Sequence, residues 1–200
     1  MSRPPAPPYR GEGPHALWHV SEDSSIKRFE PRITTGMGLS RDGGGSFAAT
    51  PTSDTDEPVV WATDTRHLPL FWFPRDCPRG TFWARPETTD ADVESFLDGD
   101  RSRRAHTIEG AWLDRIRAAS VYAYRVPEGT FHAHTTVGGY WLSTSAVDPL
   151  EVRPLGDLLA LHARSAIELR VVPSIWPLWD RVVASTLEFS GIRLRNAAPR

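Results

Sequence analysis

The chain has 200 residues, 40% of them apolar, with 8 Trp and 8 Phe, which is enough for one domain with a sizeable core. Its 23 Lys and Arg against 25 Asp and Glu leave a formal charge of −2, which excludes a global electrostatic drive toward nucleic acid or an anionic membrane. Cys77 is the only cysteine, no stretch approaches the roughly 18 apolar residues of a spanning helix, and Met1-Ser2-Arg3-Pro4-Pro5 opens no apolar leader, so a cytoplasmic chain without a membrane partner is expected.

In chain order, residues 1–14 are rich in Pro and Gly and read as a flexible arm, with a single domain over 15–200. Short β-branched and aromatic runs predict strands at Ala16–Val20, Val59–Ala62, Thr81–Ala84, Val121–Val126, Gly139–Ser143, Leu150–Arg153 and Ile167–Val172. Between the first two, residues at about 36–57 mix Gly, Ser, Thr and Asp and read as a mobile loop. Pro69 and Pro74 leave room only for a short helix near His67–Phe73. Helical spacing of Ile108, Ala111, Trp112 and Ile116 predicts a helix over Thr107–Ala119. Leu155, Leu158, Leu159 and His162 predict a second over Gly156–Ser165, and Ile175, Leu178, Trp179 and Val182 a third, with Ser174 as its N-cap. Phe189–Asn196 alternates apolar and basic residues like an edge strand. The fold class is α+β, with small mixed or antiparallel sheets and about three flanking helices.

Lys27 is the only lysine, so an anionic ligand would be met by guanidinium forks. On a strand through His19, the side chains of His19 and Ser21 share one face and emerge together at its end, with Arg32 downstream. They form a polar pocket, or else a carbonyl-bound histidine and a turn-capping serine. Asp64 precedes the short helix as an N-cap or a ligand-binding carboxylate. Arg75 and Arg79, separated by a Pro-stiffened turn, form a clamp for phosphate or carboxylate, or a surface ion pair with Asp76. Cys77 would act as a nucleophile only beside a base such as His19 or His67. His132 and His134 lie on one strand face but no acid stands at ligand spacing, so no metal site is expected. Tyr140 offers a ring to a planar ligand, Ser143 follows it, and Glu168 supplies a carboxylate for a cationic transition state or pairs with Arg170.

The segments Leu17-Trp18-His19-Val20-Ser21, Pro74-Arg75-Asp76-Cys77-Pro78-Arg79 and Phe189-Ser190-Gly191-Ile192-Arg193-Leu194-Arg195-Asn196-Ala197 resemble a family of uncharacterised bacterial proteins. More distantly the chain resembles ADP-ribosyltransferases, whose split sheets bind NAD in a cleft. Histidine-type members begin with a strand like the one carrying His19, while Ser143-Thr144-Ser145 is similar to a strand of arginine-type members. The resemblance implies that His19 and Ser21 hold ribose hydroxyls, that Tyr140 stacks on nicotinamide, and that Glu168 steadies the oxocarbenium ion. Glu168 has no Glu-x-Glu partner, which points away from a protein acceptor. The leading expectation is an enzyme that takes NAD or a related nucleotide as substrate and cleaves or transfers at its N-glycosidic bond, with His19, Tyr140 and Glu168 catalytic. Under it His19, Ser21, Arg32, Asp64, Arg75, Arg79 and Ser143 bind the nucleotide. The rival expectations are a non-catalytic domain binding a nucleotide or another anionic metabolite, and a partner-binding accessory protein.

Overall fold

In the computed structural model the segments rich in aromatic and β-branched residues form strands, because such side chains pack well on a pleated, half-buried surface. The described residues are 16–33, 37–41, 47–51, 57–134 and 139–200, so the arm expected over 1–14 lies outside them. The chain order is β1 (Leu17–Ser21), β2 (Met37–Arg41), β3 (Phe47–Pro51), β4 (Val60–Asp64), β5 (Arg79–Trp83), α1 (Asp90–Leu97), β6 (Arg104–Glu109), α2 (Leu113–Ala118), β7 (Tyr122–Val126), β8 (His132–Ala133), β9 (Tyr140–Ser143), β10 (Glu151–Pro154), α3 (Leu158–Arg164), β11 (Ile167–Val172), α4 (Trp176–Ala184) and β12 (Glu188–Ile192). The fold is α+β, and none of its described helices is long and apolar enough to cross a membrane.

The chain divides into two compact units. One comprises Ser120–Leu155 with the described residues up to Trp72, and carries a six-stranded sheet in the order β10-β7-β1-β4-β9-β8 with all neighbours antiparallel. Leu17, Val60, Ala62, Tyr124 and Val126 form a core on one face, closed by Phe29 and Val147, whose backbones exchange two hydrogen bonds of 2.8 and 2.9 Å. Two strands fall in the segment read from sequence as a loop: β2 and β3 pair antiparallel, Leu39 opposite Ala49. Met37 and Leu39 of β2 alternate with Gly38 and Ser40, and β3 follows Phe47 with two small alanines, too little apolar and β-branched content to stand out as a strand pattern.

The other unit comprises Phe73–Ala119 and Gly156–Arg200, with a mixed sheet in the order β11-β6-β5-β12 in which only β11 and β6 run parallel. The helix expected over Thr107–Ala119 is shorter than its spacing suggested. Residues 104–109 are instead β6, and helix begins only at Leu113 after a 3-10 turn over Gly110–Trp112. Ile108 is buried because β6 lies between β5 and β11, not because it faces a core from a helix. Helix α1 starts at Thr89, whose hydroxyl accepts the Asp92 amide at 3.2 Å, and stops at left-handed Asp98 and Gly99.

Gly80 and Gly191 face each other across β5 and β12, and Trp179 of α4 lies over both. A Cβ would stand 2.8 Å from the Trp179 ring at Gly80 and 2.6 Å from it at Gly191. Gly191→Ala is therefore expected to destabilise the protein by about 1 to 3 kcal/mol through overpacking, read as a lower urea midpoint at unchanged slope. An unchanged midpoint would show that α4 yields at no cost.

Candidate functional site

The β1–β4 ladder registers Leu17 with Asp64 and Trp18 with Thr63. Beyond that point the His19 Nδ1 lies 2.7 Å from the Trp61 carbonyl oxygen, so the imidazole donates to the neighbouring strand. Its ring rests against Phe29 with centroids 4.3 Å apart. Ser21 accepts the Asp23 amide at 3.1 Å, and Asp23 in turn accepts the amide and hydroxyl of Ser25 at 2.8 and 2.7 Å. Those two bonds from Ser25 hold the Asp23 carboxyl below its ordinary range. The carbonyl-bound histidine and turn-capping serine are thus what the local structure provides. Arg32 is exposed and its backbone bridges to Val59.

At the end of β4 the chain turns, and Asp64 Oδ1 accepts both the His67 amide at 2.9 Å and the His67 Nδ1–H at 2.8 Å. The carboxylate therefore fixes the tautomer and orientation of the imidazole, and both side chains are about five-sixths buried, at 16% and 17% exposure. Gly139 makes the arrangement possible. With φ of +80° it takes a backbone shape that favours glycine, and a Cβ there would stand 2.2 Å from the His67 ring. The next residue, Tyr140, registers opposite Thr63 and meets Trp61 and Phe71 edge-on, each at 5.8 Å. His134 stacks on Trp61 at 5.7 Å. Ser143 is fully buried and bonds the Thr130 hydroxyl at 2.9 Å and the Ser145 carbonyl at 3.1 Å, which makes it a turn brace.

The remaining candidates belong to the other unit. The expected Arg75–Arg79 clamp does not form in that shape, because Arg79 is only 3% exposed, donates to the Cys77 carbonyl at 2.9 Å and lies over the Phe73 ring. Strand β5 carries it inward while Arg75 stays exposed. Glu168 takes the Arg170 guanidinium in a two-pronged pair at 2.8 and 3.0 Å, and Arg170 also donates to the Phe96 carbonyl. Cys77 is buried, which pushes its thiol up to about 12, so it is no thiolate near neutral pH.

His106 and His162 form a buried pair absent from the expectations. His162 donates from Nδ1 to the Leu158 carbonyl at 2.7 Å, so its Nε2 accepts the His106 Nδ1–H at 3.0 Å. The bare His106 Nε2 has no hydrogen-bond partner among the described residues. Burial, reinforced by His162, Arg104 and Arg79, drives the His106 pKa well below the usual histidine value, and burial lowers that of His162. Both are neutral. Among the described residues no group of three His, Cys, Asp or Glu is placed to hold a metal.

A family model, described as a family of unknown function (DUF6886), matches residues 18–197. The chain belongs to DUF6886. The match includes residues of both units and, but for Leu17, all of the motif segments that carried the resemblance. It confirms kinship with an uncharacterised family and brings no activity with it. No curated protein and no solved structure matches the chain. For this DUF6886 member, then, the site has to be argued from its own side chains. His67 is the residue that the motifs did not single out as catalytic. Its signal was an Asp three residues earlier in a turn, which also fits an ordinary helix cap.

Proposed function

We propose that the protein binds NAD or a related nucleotide and cleaves or transfers at its N-glycosidic bond, with the Asp64–His67 pair as its base. The observation that carries this reading is the 2.8 Å contact between Asp64 and His67, held by Gly139 directly beside Tyr140. Asp64 keeps the proton on Nδ1, so the proton-accepting position of the imidazole is Nε2. Tyr140, Trp61, Phe71 and His134 supply ring faces and edges to a planar base. His19 and Ser21, which the strand register turns to the sheet face opposite Tyr140, take no part in this reading. In the reaction the bond from the anomeric carbon to the nicotinamide nitrogen breaks and its electron pair leaves with nicotinamide. The oxygen of water or an acceptor hydroxyl bonds to that carbon, and its proton passes to His67. A cytoplasmic setting fits the single reduced thiol.

One observation favours a second reading, a non-catalytic nucleotide sensor. Glu168, assigned to steady the oxocarbenium ion, is neutralised by Arg170. Calorimetric titration with NAD separates the two. Under the enzymatic reading NAD binds, Tyr140→Ala weakens binding at least tenfold, and His67→Asn slows turnover. Binding without turnover supports the sensor. The absence of any heat or thermal shift with NAD and common nucleotides defeats both.

A further inference from the structure

Strand β11 is an edge of the four-stranded sheet, with β6 on one side and no described strand on the other. Among the described residues its backbone hydrogen bonds run to β6 alone. The edges of the six-stranded sheet are blunted, since β8 has two residues and β10 ends on Pro154, which cannot donate to a ladder. Strand β11 instead runs for six residues with neither proline nor lysine. Ile167, Leu169 and Val171 share one face, and Glu168 and Arg170 the other. Val171 is 45% exposed and Leu169 is partly exposed. Glu168 and Arg170 also reach the surface, and they are held in place along the strand. Arg170 grips Glu168 at 2.8 and 3.0 Å, donates to the Phe96 carbonyl and lies over the Phe82 ring.

We propose that two copies of the chain pair through β11, antiparallel, about a two-fold axis at Leu169. The strand is self-complementary in that register. Glu168 comes opposite the partner's Arg170, and Arg170 opposite the partner's Glu168. On the other face Ile167 meets the partner's Val171, and Leu169 meets the partner's Leu169. Opposite charges and apolar pairs directly across a ladder are the contacts that stabilise an antiparallel pair, and the symmetry makes each unlike pair twice. The charges also choose the register. An axis at Glu168 would set carboxylate against carboxylate, and one at Arg170 would set guanidinium against guanidinium, both unfavourable. The four-stranded sheet of one copy then continues into that of its partner, and the unpaired edge disappears from both. The Asp64–His67 pair lies in the other unit and has no part in this pairing.

Sedimentation velocity of the full chain, over about 1 to 100 µM, tests this, and the expected result is a dimer that fills with concentration. Arg170→Glu sets like charges opposite each other at two places and is expected to weaken dimerisation about tenfold or more. The double variant Glu168→Arg with Arg170→Glu restores opposite charges across the axis and is expected to recover the dimer. Where these variants fail to fold by circular dichroism, Val171→Lys decides the matter, because that side chain is already exposed in the single chain and lies opposite the partner's Ile167. It too is expected to weaken the dimer about tenfold or more. A monomer at every concentration overturns the proposal, even if the edge is then found to take an extended segment of another protein. A dimer of unchanged affinity in Val171→Lys overturns it as well. NAD is absent from this experiment, so its failure and that of the proposed reaction are distinguishable.

Discussion

Lowering the pH from 7.5 to 5.5 is expected to cost the folded protein on the order of 1 kcal/mol for each of His106 and His162 that stays neutral. The sign follows from proton counting. An unfolded histidine titrates near 6.5, whereas these two titrate lower in the fold, His106 well below. In the window beneath 6.5 the unfolded chain binds more protons, so stability is complete above that pH and drains away as pH falls toward the folded values. The structural cause is specific. His162 is committed to the Leu158 carbonyl, His106 is committed to His162, and a proton added at His106 Nε2 would be a buried charge beside Arg79 and Arg104. Urea unfolding at the two pH values checks this, and His106→Gln is expected to flatten the dependence. An unfolding free energy that is the same at both pH values for the native sequence would mean that the pair takes up its proton within the fold.

Replacing His67 by Asn is expected to lower NAD turnover by about 10² to 10⁴, the usual worth of a positioned general base, while binding changes little. The split between the two readouts matters. Tyr140→Ala removes a ring that the ligand would touch and so acts on affinity, whereas His67→Asn removes only the proton acceptor. Asp64→Asn is expected to follow His67→Asn within an order of magnitude, because the amide neither fixes the Nδ1 proton nor balances the imidazolium that forms. Steady-state rates with NAD measure both. A His67→Asn rate within threefold of the unaltered protein would remove His67 from the mechanism and with it the reading built on this dyad.

The sheet strands were legible wherever aromatic or β-branched residues crowd five positions, as in Leu17–Ser21, Val60–Asp64 and Ile167–Val172. Helices α3 and α4 were legible from their apolar spacing. Strand β6 was not, because a fully buried strand loses its alternation, and Ile108 then joins Ala111, Trp112 and Ile116 in a false helical period. The same limit applied to the site. His19 and Ser21 were correctly placed at a strand end, but only the folded chain shows that the Trp61 carbonyl accepts from His19 and that Ser21 accepts from the Asp23 amide. Arg79 looked equivalent to Arg75 in sequence. The strand that begins at Arg79 takes its side chain into the interior, a distinction that depends on β5 being covered. The Arg75–Arg193 contact joins residues 118 apart in the chain, and no local pattern announces it.

Under the proposed function, this chain acts on the N-glycosidic bond of NAD through a base positioned by Asp64. Chromatographic detection of free nicotinamide after incubating the purified protein with NAD tests it most directly. Nicotinamide release by the native sequence, and its loss in His67→Asn, are the expected results. NAD recovered intact under conditions where calorimetry shows it bound would contradict that claim.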